Sequence, residues 1–173
     1  MIHSTEENKL FKQVLSSVKT IAMVGVSFAK EKEISSNVRR RPSIIVMKYL
    51  QEFGYRVIPV NPFSAGKKIY GEIAVARLED ITSPVDIVNV FRPSKETTII
   101  AKQTLKIGAK VLWLQFGIQN SKAQEIAKSA DITCIQNRCI KQEYQKLFLK
   151  TNPVFPALLS NWNLVKFMKK ISL

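Results

Sequence analysis

Apolar positions along the chain follow two alternating rhythms. Leu10, Phe11, Val14, Leu15 and Val18 recur at helical spacing within Glu6–Val18, which predicts an amphipathic helix. The apolar run Ile21–Val26 then has the length and continuity of a strand buried on both faces. Phe28–Arg40 is polar, charged and without period, and reads as a loop, long for a connection between strand and helix. The helical rhythm resumes at Pro42, a residue suited to a first helical turn, with Ile45, Val46, Tyr49, Leu50 and Phe53 as the apolar stripe and Gly54 as the stop. Arg56–Val60 reads as a second strand, Asn61–Gly71 as a loop, and Leu78–Ile81 as a short turn. Val85–Phe91 fits a central strand. Ser94 is placed to cap a helix reaching Ile107, with Ile99, Ile100 and Leu105 inward and Gly108 at its end. Val111–Phe116 is read as a strand, Ser121–Ser129 as a helix, Ile132–Ile135 as a short last strand, and Cys139 to Leu149 as a final helix.

Strands that alternate with helices, and are themselves almost wholly apolar, predict an α/β fold: a doubly wound, mainly parallel sheet of about five to six strands with helices on both faces. Residues 1–150 form this domain. Residues 151–173 read as a basic amphipathic extension, with Leu158, Leu159, Trp162, Val165 and Met168 opposite Lys166, Lys169 and Lys170. Such a helix could dock on the body, on a second subunit or on an anionic membrane surface.

Composition narrows the classes. A chain of 173 residues with 46% hydrophobic content suits one domain with a full core. No apolar run reaches the roughly 18–20 residues of a membrane helix. The polar, acidic start Met1–Glu7 does not read as a signal peptide. Two cysteines, Cys134 and Cys139, make no disulfide framework and have no C-x-x-C spacing or nearby histidine, so a cytoplasmic setting without a zinc site is expected. The net charge of +14 calls for a polyanionic ligand or reflects compositional bias. Nucleic acid is disfavoured, because the basic residues are dispersed and no recognition motif is present.

In a doubly wound sheet the carboxyl ends of the strands converge on the ligand. Here they are Gly25-Val26-Ser27, Val60-Asn61-Pro62, Phe91-Arg92-Pro93-Ser94, Gln115-Phe116-Gly117 and Asn137-Arg138-Cys139. Strand, glycine turn and helix together place backbone N–H groups against a phosphate. An NAD site usually has Asp or Glu at the end of its second strand. This chain has Asn61-Pro62 there, with Lys67 and Lys68 soon after, which favours a phosphorylated ribose. NADP and coenzyme A both satisfy that test, although a single glycine in the turn departs from the dinucleotide fingerprint.

Several motifs resemble the bacterial coenzyme A-binding domain proteins of the YccU type. They are Val24-Gly25-Val26-Ser27, Arg41-Pro42-Ser43, Tyr49-Leu50 with Gly54-Tyr55, Val57-Ile58-Pro59-Val60-Asn61-Pro62, Pro84–Val88, Val90–Ser94, Gly108–Gln115 and Asn137-Arg138-Cys139-Ile140. That family is similar to the coenzyme A-binding domain of the succinyl-CoA synthetase α subunit. The resemblance spans roughly residues 10 to 148 and implies a Rossmann-like fold with a coenzyme A site. It implies Gly25 and Ser27 at the pyrophosphate, with Arg41 and Ser43 at the following helix start. It implies Val60, Asn61 and Pro62 along the adenosine, Lys67 or Lys68 at a phosphate, and Phe91 and Arg92 closing the cleft; Gln115 is a further strand-end candidate. The sequence departs from the family in one place. Phe28–Arg40, with Lys30, Lys32, Arg39 and Arg40 against Glu31 and Glu33, separates Gly-x-Ser from Arg-Pro-Ser. It reads as a solvated surface loop, with a basic flap over the ligand as the alternative.

The synthetases use a phosphorylated histidine, whereas the single histidine here is His3, in the N-terminal segment. No Ser–His–Asp set can be assembled without a placed histidine. Asp86 lies at the opposite sheet edge and is read as structural, Glu143 as a salt-bridge partner of Arg138, and Trp113 as core. Cys139, near a helix start and beside Arg138, is the one candidate reactive thiol, since both features lower a thiol pKa. The reading is a cytoplasmic protein that binds coenzyme A or an acyl-CoA as a non-catalytic carrier, sensor or accessory protein, acting alone, as a homo-oligomer or beside a partner enzyme. An NADP-dependent oxidoreductase and a basic nucleic-acid or membrane interaction module stand as alternatives.

Overall fold

The hydrophobic rhythms become five α-helices and seven strands in the computed structural model, which describes residues 5–26 and 42–150. In chain order these are α1 (Thr5–Ser17), β1 (Thr20–Val24), α2 (Pro42–Glu52), β2 (Arg56–Val60), β3 (Lys68–Ile69), β4 (Glu72–Ile73) and β5 (Ile87–Val90). They are followed by α3 (Thr97–Lys106), β6 (Val111–Leu114), α4 (Ser121–Ser129), β7 (Thr133–Ile135) and α5 (Ile140–Phe148). Ser27, Arg41, the loop read at 28–40 and the extension read at 151–173 lie outside the described residues.

Five strands form one parallel sheet in the order β2-β1-β5-β6-β7. The chain leaves β1 to build β2 on one side, then returns to build β5 on the other. The carboxyl ends of β1 and β5 therefore flank the point where the winding reverses, and a crevice opens there. This is the α/β, Rossmann-like arrangement expected from the pattern.

Pleating divides the strand residues between two cores. Ile21, Met23, Ile87, Val111, Trp113 and Ile135 pack with Phe11, Leu15, Met47, Leu50 and Ile140, from α1, α2 and α5. Ala22, Val88, Val90, Leu112 and Leu114 pack with Ile100, Ala101, Ala123 and Ala127, from α3 and α4. Register holds the layers together, with Met23, Asn89 and Trp113 side by side across β1, β5 and β6. At the amino edge the Asp86 carboxylate accepts the N–H groups of Lys19 and Thr20 at 2.8 and 2.9 Å, the structural role expected of it. Among the described residues no helix is long and apolar enough to cross a membrane.

Two local expectations are corrected. The stretch read as a loop, Asn61–Gly71, holds β3 and the turn of an antiparallel hairpin completed by β4, with Tyr70 and Gly71 both at positive φ (46° and 92°) in its two-residue turn. Two-residue arms are too short to show a period. Ser94 does not cap α3. It opens a 3₁₀ turn, Ser94–Glu96, and its hydroxyl accepts the Gln119 N–H at 3.2 Å. The face of α3 turned to the sheet is the i, i+3, i+4, i+7 set Thr97, Ile100, Ala101 and Thr104, so Ile100 is buried as expected while Ile99 and Leu105 are exposed.

Candidate functional site

The crevice at the β1/β5 switch is a cleft of about 230 Å³ on the α3 side of the sheet. Its floor is Val24, Gly25 and Val60 at the ends of β1 and β2, and one wall is the Asn61-Pro62-Phe63 turn. Arg77 and Leu78 close one end, while Arg92, Glu96, Ile99, Ile100 and Gln103 form the α3 wall.

Gly25 is what allows the strand ends to converge. Its φ is +91°, and a Cβ there would lie 2.9 Å from both the Phe91 carbonyl oxygen and Arg92 Cδ. Its own N–H is donated to the Val60 carbonyl at 2.9 Å. The glycine therefore supplies clearance and chain reversal rather than a free donor.

Asn61 builds the opposite wall. Its Oδ1 accepts the Phe63 N–H at 3.0 Å, capping the 3₁₀ turn Pro62–Ser64, and its Nδ2 donates to the Val26 carbonyl at 2.7 Å. Its backbone N–H goes to the Val75 carbonyl at 2.9 Å. One side chain thus ties the exits of β1 and β2 together and fixes Phe63 at the cleft mouth, where the ring is 85% exposed.

Two arginines line the cleft, each already paired. Arg92 donates Nε and Nη2 to the Glu96 carboxylate at 2.8 and 3.0 Å, a two-point contact one helical turn apart. That contact, above all others, holds the Glu96 carboxyl below its ordinary range. The pairing is therefore present above the unfolded carboxylate pKa and is lost as pH falls through the lowered folded value. Both side chains are well exposed, so the pair is worth about 1 kcal/mol or less, and an incoming phosphate can replace Glu96 on Arg92 at small cost. Arg77 donates one guanidinium N–H, from Nη2, to Asp80 Oδ1 at 3.1 Å, and its backbone N–H to Asp80 Oδ2 at 2.9 Å.

The structure brings Gly25, Val60, Asn61, Pro62 and Arg92 together in the cleft and leaves other expected residues outside it. Phe91 turns to the opposite face and packs on the α1/α2/α5 core. Ser43 is buried in the first turn of α2, on that same face. Lys67 and Lys68 sit beyond the 3₁₀ turn, where Lys67 Nζ reaches the Phe63 carbonyl at 3.5 Å and Lys68 begins the hairpin. Gln115 is buried behind the strand ends and donates to Asn89 Oδ1 at 2.7 Å. Sequence reading missed Phe63, Arg77, Glu96, Ile99 and Gln103. The opposite charges of Arg92 and Glu96 four residues apart could have shown one of these. Ile99 and Gln103 depend on which face α3 turns to the sheet, and Phe63 and Arg77 come from turns after β2 whose direction is set by packing.

Cys139 corrects a pKa expectation. It precedes α5, and the N–H groups of Lys141 and Gln142 do favour its thiolate, but burial outweighs them and pushes the thiol up. Arg138 turns away and reaches Glu7 of α1 at 3.4 Å. Cys139 is expected to alkylate with iodoacetamide at neutral pH more slowly than free cysteine, by roughly tenfold per pKa unit of lost thiolate. A rate equal to or above that of free cysteine would contradict the burial argument.

Comparison with known proteins places this geometry. A family model described as a CoA binding domain matches residues 19–145. The chain is 38% identical over 130 residues to the uncharacterized protein YneT of Bacillus subtilis (strain 168), covering 75% of this chain and 88% of that protein. It resembles the solved structure of cell-free ID.343 from Thermus thermophilus, with 37% identity, a TM-score of 0.72, and coverage of 82% of this chain and 98% of that one. It also resembles a hypothetical protein from Pyrococcus horikoshii OT3, with 31% identity, a TM-score of 0.72, and coverage of 85% and 97%. With the match spanning both sides of the β1/β5 crevice, the chain belongs to the CoA-binding domain family.

Proposed function

We propose that this chain binds coenzyme A, free or acylated, with the adenine in the cleft and the pyrophosphate over the turn after β1, and that it acts as a non-catalytic carrier, sensor or accessory protein. The observation that carries the reading is the cleft itself, at the switch point, floored by a glycine that admits no side chain. Exposed Phe63 on one wall and exposed Ile99 on the other offer apolar faces to a flat base. Arg92 and Arg77 offer exchangeable positive charge for a phosphorylated ribose. The volume suits a nucleoside, so the rest of so long a ligand would run outward over the strand ends.

Calorimetric titration with coenzyme A, dephospho-coenzyme A and NADP tests this. Coenzyme A is expected to bind best, and dephospho-coenzyme A more weakly, through loss of the arginine contacts. Equal or tighter binding of NADP would favour an oxidoreductase and sink the proposal. Phe63→Ala is expected to raise the Kd for coenzyme A roughly tenfold, from lost base stacking, with little change in the unfolding midpoint. An unchanged Kd would remove the base from that wall.

A further inference from the structure

The α3 wall of the cleft carries an amide whose two ends are unequally committed. Among the described residues, two uncharged polar side chains line the cleft, Asn61 and Gln103. Asn61 is engaged at both ends, with Oδ1 on the Phe63 N–H and Nδ2 on the Val26 carbonyl. Gln103 Nε2 donates at 3.3 Å to the carboxylate of Glu79, in the 3₁₀ turn Leu78–Asp80, while its Oε1 accepts no hydrogen bond among the described residues. The orientation follows from chemistry, because an ionised carboxylate only accepts and so draws the NH₂ end of the amide. Glu79 also faces Lys106, whose Nζ lies 3.9 Å away. The carbonyl end of Gln103 is therefore the end left for a ligand.

We propose that Gln103 reads the base of the ligand: its Oε1 accepts the exocyclic amino group of adenine, and Glu79 fixes which end of the amide is presented. The inference rests on the reading that coenzyme A places its base in the cleft. Three features support it. Gln103 is half-buried and lines the cleft itself, so a ligand there meets it directly. It stands four residues after Ile99, about 6 Å further along α3 on the same side, so a base lying against Ile99 brings its edge to Gln103. The charged groups of the cleft suit other parts of the ligand: Arg92 and Arg77 only donate, and phosphate is their natural partner, whereas a neutral amino group is complemented by a neutral carbonyl. Hypoxanthine and guanine carry an oxygen where adenine carries that amino group. Two acceptors would then face each other, and the same geometry rejects those bases.

The test compares coenzyme A with its analogue in which hypoxanthine replaces adenine, by calorimetry on the full chain. The wild-type protein is expected to bind the analogue roughly tenfold more weakly. Gln103→Met keeps the length of the side chain and removes both polar ends; it is expected to bring the two ligands within about twofold of each other, chiefly by weakening coenzyme A. Glu79→Ala frees the amide to turn its NH₂ end to the ligand, so it is expected to tighten the analogue and narrow the ratio to about twofold. A merely structural loss would weaken both ligands together and tighten neither. Equal binding of the two ligands by the wild-type protein would overturn the base reading and leave the coenzyme A site standing. A preference for adenine that survives Gln103→Met would overturn it as well, and an unchanged ratio in Glu79→Ala would remove the positioning role of Glu79. If the methionine variant does not fold, the wild-type comparison and Glu79→Ala decide by the same criteria. A wild-type protein that binds neither ligand would overturn the coenzyme A reading itself.

Discussion

Trp113→Ala is expected to lower stability by about 3–5 kcal/mol, a large share of the roughly 5–15 kcal/mol that holds an ordinary domain folded. Trp113 is fully buried in the central part of the sheet. Its ring lies 5.5 Å from that of Phe11, so it packs β6 against α1. Its indole N–H donates to the Arg138 carbonyl at 2.8 Å, pinning the turn that launches α5. Alanine would remove the ring, leave a cavity between sheet and helices, and free that carbonyl. Urea unfolding followed by far-ultraviolet circular dichroism measures the loss. A change below about 1 kcal/mol would show that the helix layer closes over the gap, contrary to the close packing expected of a core. Trp113→Phe, which keeps most of the volume, is expected to cost clearly less.

The second large effect is at Gly25. Gly25→Ala is expected to lower stability by about 1–3 kcal/mol from the left-handed backbone alone. It should weaken coenzyme A binding by more than tenfold, because the new methyl group meets the Phe91 carbonyl and displaces Arg92 from the cleft wall. Gly66→Ala is the matched control. Gly66 also has a positive φ, +78°, but nothing lies within 4 Å of its added Cβ, so it carries the strain without the contact. Gly25→Ala should therefore unfold more readily than Gly66→Ala, because it adds the contact with the Phe91 carbonyl to the shared backbone strain, and calorimetry should separate the two further. If Gly25→Ala binds as well as Gly66→Ala, the strand-end approach is not part of the ligand site.

These predictions also mark which parts of the molecule were legible. Arg56–Val60 and Ser121–Ser129 were read to the residue, because their apolar patterns and flanking glycine or asparagine signals are local and agree with each other. The parallel, two-faced sheet followed from strands too apolar to have a wet side. The aromatic group Tyr49, Phe53, Tyr55, Tyr144 and Phe148 was partly visible as the stripe of α2, but its closure by α5 was not. There the Tyr55 hydroxyl donates to the Leu15 carbonyl at 2.6 Å, and burial pushes it well above the ordinary tyrosine range. The lining of the cleft was half legible: Gly25, Val60, Asn61, Pro62 and Arg92 were read as strand-end candidates because strand ends converge in any doubly wound sheet, and the structure places them around the cleft.

What the sequence determined by itself is what local pattern and chain order encode: the alternation of elements, the winding, the glycine at the first turn, and the absence of a carboxylate after the second strand. Tertiary structure decided everything that depends on direction. It sent Lys67 and Lys68 out along a hairpin and turned Phe91 away from Arg92. It paired both cleft arginines with carboxylates and left Ile99 on the cleft side of α3. It also raised the Cys139 thiol where the local signals alone would lower it. The reason is physical. Helix and strand periods report which residues are buried, but a side chain's partner and its solvation come from elements far apart in the chain, and only packing brings those together.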